Sequence, residues 1–288
     1  MKPIFFIFGF GYCAEFLAPK LVDMGYRIIG TTRDEHKLRQ GQSLDVTLID
    51  FNDEKIPTYL QQATNVLISV PPNATIKDPV LVQYRKLIME NATHIQWLAY
   101  LSSTGVYGDY NGAWVDETSD CRPLGQQGIL RLEAETAWMD FANTYHLPLH
   151  IFRLAGIYGP QRNALERIIS GKPYSIVKPS HFFSRIHVAD IASALIASIK
   201  APTPLSIYNV ADDEPAPAHC VDAYAATLLD RPALPLIPYE EATLSPMERE
   251  FYSNNRRVSN TKLKNELQLT LAYPSYREGL LQLRELYS

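Results

Sequence analysis

The sequence predicts a doubly wound α/β architecture, a parallel sheet with helices on both faces, followed by a smaller, discontinuous C-terminal cap. Three observations carry that expectation. An apolar run from Ile4 to Phe8 leads directly into Gly9-x-Gly11-x-x-Ala14. Strand-like and helix-like patterns then alternate as far as Tyr158. Beyond it, prolines from Pro160 to Pro238 cut the chain into short pieces, which suits a cap rather than a continued regular sheet.

Each element follows from its own pattern. Ile4 to Phe8 has the length and composition of a parallel strand buried on both faces, and Glu15 to Met24 continues as a helix. Tyr26 to Thr32 is a second strand, completing a right-handed βαβ unit. Asp45 to Phe51 and Asn65 to Val70 are further strands, the latter stopped by Pro71-Pro72. Pro79 to Ala92 reads as a helix, Gln96 to Ser102 as a buried strand, Leu130 to Tyr145 as a long helix and Leu149 to Leu154 as a strand. Ser184 to Ser198 and Ile207 to Val210 look like a helix and a strand returning to the main sheet. This places a dinucleotide-binding domain at residues 1–158 and 183–212, and the substrate or cap domain mainly at 159–182 and 213–288.

The glycine turn carries the first chemical inference. Gly9 permits a tight turn, Gly11 lets the backbone approach a pyrophosphate, and Ala14 lets the helix pack on the strand. The helix N-terminus offers N–H groups and partial positive charge to an anion. The segment is therefore a Rossmann-type dinucleotide turn. Which dinucleotide it takes is read at the end of the second strand. An NAD site ordinarily puts a carboxylate there for the ribose hydroxyls, whereas NADP needs a cation for the 2′-phosphate. The sequence has Thr31-Thr32-Arg33 with Lys37 four residues on, so NADP(H) is favoured over NAD(H), with Arg33 as a planar fork and Lys37 as a point charge.

Composition bounds the rest. The 288 residues suffice for one large domain or two unequal ones. With Lys+Arg 27 against Asp+Glu 31, no basic field marks nucleic acid or an anionic membrane as a partner. Cys13, Cys121 and Cys220 are far apart and outside metal-ligand spacing, so neither a disulfide framework nor a metal site is expected, and a cytoplasmic location follows. The N-terminal apolar run is too short for a signal peptide, and no stretch reaches the ~18 apolar residues that span a bilayer.

Further segments bring the chain close to a known family. Leu101 to Asp109 reads LSSTGVYGD, Phe152 to Arg162 reads FRLAGIYGPQR, and Arg185 to Ala194 reads RIHVADIASA. With the glycine turn, Tyr208 to Pro215 (YNVADDEP) and Arg256 to Leu267 (RRVSNTKLKNEL), they resemble the extended short-chain dehydrogenase/reductase family, in its nucleotide-sugar epimerase and dehydratase branch. The resemblance implies that Gly9, Gly11, Tyr12, Cys13 and Ala14 form the pyrophosphate loop. It further implies that Asp50 and Phe51 read the adenine and that Val70 and Pro71, within Ser69 to Pro72, border the cofactor. Ser103 matches the family's Ser/Thr that hydrogen-bonds a substrate oxygen. A small-molecule substrate of nucleotide-sugar type and a homodimer are what the resemblance suggests.

One departure from the family pattern is chemically serious. Members carry Tyr-x-x-x-Lys early in the helix after the fifth strand, with a Glu four residues past the Lys. Here the helix reads GQQGILRLEAE, and aligning Glu135 puts Arg131 at the Lys position and Gln127 at the Tyr position. A Gln amide hydrogen-bonds but does not exchange a proton at useful pH. General acid/base loss costs ~10²–10⁴ in rate. The only literal Tyr-x-x-x-Lys, Tyr174 to Lys178, has β-branched Ile176 and Val177 between two prolines and is expected to be extended, which separates its ends by roughly 13 Å.

Stand-in proton carriers are Tyr107, Tyr110 and Tyr158, each weighed against a packing role, and His187, for which a structural role is favoured. Arg162, Arg167, Lys172 and Lys178 are cap cations with some capacity for an anionic substrate. The functional expectation is an NAD(P)-dependent oxidoreductase or nucleotide-sugar epimerase/dehydratase-like enzyme with an atypical site made of Ser103, Gln127 and Arg131. The alternative is a non-catalytic NADP(H)-binding sensor.

Overall fold

The computed structural model describes residues 2–40 and 45–287. In chain order the elements begin with β1 (Ile4–Phe8), α1 (Tyr12–Asp23), β2 (Arg27–Thr32), α2 (Glu35–Gln40), β3 (Val46–Asp50) and α3 (Ile56–Gln62). There follow β4 (Ala63–Ile68), α4 (Pro79–Glu90), β5 (Trp97–Ser103), β6 (Trp114–Val115), α5 (Gln126–Tyr145), β7 (Leu149–Leu154) and β8 (Gly156–Tyr158). Next come α6 (Ala164–Ile169), β9 (Ser175–Val177), β10 (Arg185–His187), α7 (Val188–Lys200), β11 (Ser206–Val210) and α8 (Ala218–Leu228). The chain closes with β12 (Leu236–Pro238), α9 (Pro246–Tyr252), β13 (Arg257–Val258), α10 (Thr261–Glu266) and α11 (Tyr276–Arg284).

Seven strands form the main sheet in the order β11-β7-β5-β4-β1-β2-β3. The pairs β1–β2, β1–β4, β2–β3 and β4–β5 are parallel. The chain winds outward from β1 in one direction to β3 and, after crossing back, in the other direction through β4 and β5. The reversal between β1 and β4 is a topological switch point, and ligands of such sheets bind beyond the carboxyl ends of the strands there. All five residues of β1 are buried, as its apolar composition requires.

The chain divides into two compact units. The first comprises the chain up to Ser103, Ile129–Arg153 and Ala192–Tyr208; the second comprises Thr104–Gly128, Leu154–Ile191 and the chain from Asn209. In the first unit, Phe6, Phe8, Val66, Ile68 and Leu98 of the sheet share a core with Trp138 and Phe141 of α5. Two buried polar devices lock helices onto it. Asp78 caps α4 by accepting from the Val80 and Leu81 N–H groups (3.0 and 2.9 Å), and its other oxygen takes the Trp138 indole N–H at 3.0 Å. Glu135 of α5, 3% exposed, is held by Arg153 of β7, 4% exposed, through Nε and Nη2 at 2.7–3.1 Å, and also accepts from the Ser102 hydroxyl.

The second unit is built differently. It has short parallel pairs, β8 with β10, β9 with β12 and β6 with β13, and a helical core in which α6, α8 and α11 pack through Leu165, Ile168, Val221, Ala225, Leu280 and Leu283. Here the cap cations are satisfied internally. Lys172 and Arg167 pair with the buried Asp222, and Lys178 donates to the Tyr252 carbonyl while lying over the Tyr239 ring. Tyr174 to Lys178 is extended, its centre forming β9, as its β-branched composition predicts.

Several boundaries differ from the sequence expectation. The helix expected over Ser184 to Ser198 gives up its first residues to β10, because Arg185, Ile186 and His187 pair with Gly156, Ile157 and Tyr158. Helices α1 and α5 start earlier than their apolar periodicity indicates, at Tyr12 and Gln126, since a first turn need not bury an apolar face. No helix among the described residues is long and apolar enough to cross a membrane.

Candidate functional site

The glycine turn is assembled by β2 as much as by its own residues. Gly9 has φ +88°, and a Cβ there would meet Val70 Cγ2 and N at 3.0 Å and the Ser69 carbonyl carbon at 3.1 Å, so the turn lies against the end of β4. The Gly9 N–H donates to Thr31 Oγ1 at 2.9 Å, Phe10 N–H to the Thr31 carbonyl at 2.6 Å, and Gly11 N–H to the Gly9 carbonyl at 2.9 Å. Thr31 therefore fixes the turn from the neighbouring strand. Its signal was present only as the pair Thr31-Thr32, where sequence reasoning looked for the ribose contact and not for this one.

Gly11 differs from Gly9. Its φ is −107°, and nothing lies within 4 Å of the position a Cβ would occupy. The backbone therefore faces open space at the N-terminus of α1, whose N-cap residue is this glycine. Cys13 and Ala14 are buried beneath it, Ala14 completely, which gives the close helix–sheet packing expected of a small residue. A helix start entered through a glycine, with a clear approach over its backbone, is a geometry that suits an anion. Tyr12 opens the helix, its ring 5.2 Å from that of Phe16.

At the end where the sequence places the adenosine, Asp50 closes β3 opposite Thr32 of β2, and its Oδ1 accepts from Asn52 N–H at 2.8 Å. Phe51 packs edge-on to Phe8 and Tyr84, and the Tyr84 hydroxyl donates to its carbonyl. Val70 is half-buried and Pro71 exposed beyond β4. Arg33 is exposed and has no partner among the described residues. The nearby Asp34 is spent on its own helix: Oδ1 takes the His36 and Lys37 N–H groups at 2.9 and 3.3 Å. Lys37 forms an ion pair with Glu15 in the first turn of α1, a contact that periodicity could not reveal. The pair moderates a carboxylate that would otherwise repel an anion at that helix start.

Ser103 ends β5 and is half-buried. Gln127 lies in the first turn of α5 and is exposed, and Arg131 sits one turn later. The Arg131 guanidinium is turned onto β5, donating through Nη1 to the Tyr100 hydroxyl at 3.1 Å and the Leu101 carbonyl at 2.8 Å. Arg131 and Glu135 thus occupy one face of α5, toward β5. Tyr100 was not singled out in the sequence; it is fully buried, and burial raises its phenol pKa despite the guanidinium.

The stand-in proton carriers are committed elsewhere, all within the second unit. Tyr107 donates to Asn209 Oδ1 at 2.8 Å, Tyr110 to the Asp120 carbonyl at 2.7 Å and Tyr158 to the Ser275 carbonyl at 3.1 Å. Burial also raises the Tyr158 pKa. The His187 ring lies between Tyr158 and Tyr273, accepts the Ala189 N–H at Nδ1, and is pushed down to about 4 by burial. It is a neutral packing residue.

With this geometry in place, the family comparison is decisive. The model of the NAD dependent epimerase/dehydratase family matches residues 6–211. The chain belongs to that family. As a family member it is an enzyme of epimerase/dehydratase type with a nicotinamide dinucleotide as cofactor. A functionally unknown conserved protein from Silicibacter pomeroyi is 43% identical, with TM-score 0.93 over 99% of each chain. The dTDP-glucose 4,6-dehydratase of Bacillus anthracis, solved with NAD, is 16% identical with TM-score 0.78, over 98% of this chain and 96% of that one. The UDP-glucuronic acid 4-epimerase of Bacillus cereus, also solved with NAD, gives the same identity, coverage and TM-score. At such identity these two establish the shared fold alone. Among curated proteins none matches significantly.

Proposed function

We propose that this family member is an NADP(H)-dependent oxidoreductase or epimerase acting on a nucleotide-sugar-like substrate, with Gln127 and Arg131 where relatives keep Tyr and Lys. The open approach over Gly11 at the start of α1 carries the cofactor half of this reading. Gly9, Gly11, Tyr12, Cys13 and Ala14 hold the pyrophosphate, Asp50, Phe51, Val70 and Pro71 frame the adenine, and Arg33 takes the 2′-phosphate. The case for NADP rests on Arg33 being unengaged among the described residues while Asp34, the nearest carboxylate, serves as a helix cap. Lys37 adds charge only in part, being shared with Glu15.

The catalytic half follows from the face of α5. Arg131 and Glu135 both point to β5, and one helical turn before Arg131 the same face presents Gln127. The bound nicotinamide supplies the hydride acceptor or donor. Ser103 donates its hydroxyl proton to a substrate oxygen and polarises it. The Gln127 amide orients that oxygen but passes on no proton, so the proton moves through water, with the rate penalty typical of a missing general acid. Arg131, anchored on Tyr100 and Leu101, fixes the positive charge beside the site without serving as a proton store.

Calorimetric titration tests the cofactor assignment: Arg33→Ala weakens NADPH by about tenfold or more and NADH hardly at all, the loss of a charged hydrogen bond. Equal losses would remove the phosphate role. For the catalytic half, the double variant Gln127→Tyr with Arg131→Lys raises hydride-transfer turnover toward the general-acid level. Binding without turnover in both forms gives the sensor reading instead.

A further inference from the structure

The second unit contains a surface cavity of about 400 Å³ lined by Trp114, Val115, Asp116, Ser259 and Thr261. It lies where β6 and β13 pair, the Ser259 N–H donating to the Val115 carbonyl at 2.9 Å. All its residues belong to this one unit, and the dinucleotide turn contributes none. Trp114 is 52% exposed, whereas Trp97 and Trp138 are 1% and 0% exposed. An indole left in water costs apolar burial, and here it stands beside a carboxylate and two hydroxyls.

We propose that this cavity is a binding site for a neutral saccharide ring, stacked on Trp114 and hydrogen-bonded by Asp116, Ser259 and Thr261. The inference goes beyond the nicotinamide chemistry and does not depend on it. Three features select the ligand class. The Arg257 guanidinium lies over the Trp114 ring, 5.4 Å from its centroid, and does not line the cavity. One π-face is thus already occupied by a cation, which lowers the attraction of the other for a second cation but leaves it able to receive the weakly polarised C–H face of a pyranose.

Asp116 excludes anions. Its carboxyl is held below the usual range by hydrogen bonds from the Thr118 hydroxyl and from the Thr118 and Ser119 backbone and side chain. The side-chain donors and Thr118 N–H converge on Oδ1 at 2.6–3.2 Å, and Oδ2 keeps acceptor capacity for ligand hydroxyls. The Ser259 hydroxyl donates to Thr261 Oγ1 at 3.0 Å, which leaves the Thr261 hydroxyl as donor and Ser259 as acceptor toward a ligand. An apolar plate with an obligate acceptor and two hydroxyls matches a ring that carries C–H on one face and O–H at its rim.

The test uses the full chain without nicotinamide nucleotide. Because Trp97 and Trp138 are buried, acrylamide quenching of tryptophan emission reads Trp114. Glucose and N-acetylglucosamine protect Trp114 saturably, while glucuronate and choline do not. Asp116→Asn, which preserves the turn, weakens protection by about tenfold, as expected for loss of a charge-assisted hydrogen bond. Thr261→Val lowers it several-fold and decides the matter if the Asn variant is misfolded by circular dichroism. No saturable protection overturns the proposal. So does protection undiminished in both variants, preferential protection by choline, glucuronate or guanosine, or burial of Trp114 that depends on protein concentration alone.

Discussion

After β1 the chain leaves Gly11, at the start of α1, facing open space, while in the second unit Tyr107, Tyr110 and Tyr158 each spend their phenol proton on an internal acceptor. The first region leaves a backbone segment open to approach; the second consumes side-chain polarity to complete the fold. A group already satisfied by the protein gains little by turning to a ligand. Position in the chain marked both regions as functional candidates, but only hydrogen-bond accounting separates one kind from the other.

That contrast breaks first at Glu135, the anchor of the α5 alignment. Glu135→Ala breaks the buried ion pair with Arg153 and costs about 3–5 kcal/mol by denaturant unfolding. A loss below about 1 kcal/mol would mean that α5 is not held to β5 and β7 by this pair. Next in size is a pH effect in the second unit. His181 and His187 are both pushed down to about 4 by burial, from 6.5, with Lys178 also acting on His181. Both rings are neutral in the fold and regain proton affinity on unfolding, so the unfolded chain binds more protons between pH 6.5 and 4. Stability is therefore constant from these two groups above about pH 6.5 and declines below it, by of order 3 kcal/mol per histidine at pH 4. The variant His181→Phe should flatten that slope.

The two glycines give the finest comparison. Gly9→Ala puts a Cβ at positive φ against Val70 and costs about 1–3 kcal/mol of stability. Gly11→Ala changes stability by less than about 0.5 kcal/mol, since its Cβ meets nothing, yet weakens dinucleotide binding by an order of magnitude or more in calorimetry. If Gly11→Ala binds normally, the open space over that residue is not where the pyrophosphate lies.

Much of the first unit was legible in the sequence. β1 is apolar on both faces because a central parallel strand is covered by helices on each side, and that requirement is written directly into composition. The glycine turn was equally legible, since φ +88° at Gly9 restricts the residue type. The contacts of Lys37 with Glu15, of Arg131 with Tyr100 and of Glu135 with Ser102 and Arg153 were not. Those partners lie 18–33 positions apart, and no periodicity reports a pairing of that separation. Likewise Arg185 to His187 read as helix because pairing to β8 overrides local propensity.

What the sequence by itself determined is the seven strands of the main sheet, the glycine turn after β1, and the presence of an amide at Gln127 and a guanidinium at Arg131. These depend on residue type and local backbone freedom, which are properties of short stretches of chain. Only the tertiary structure decided which polar groups remain unspent, namely Arg33 among the described residues and the approach over Gly11, and which are consumed, as are Lys172, Tyr107 and Tyr158. A hydrogen bond or ion pair is a property of two groups brought together in space, and the chain folds to satisfy as many of them as burial demands.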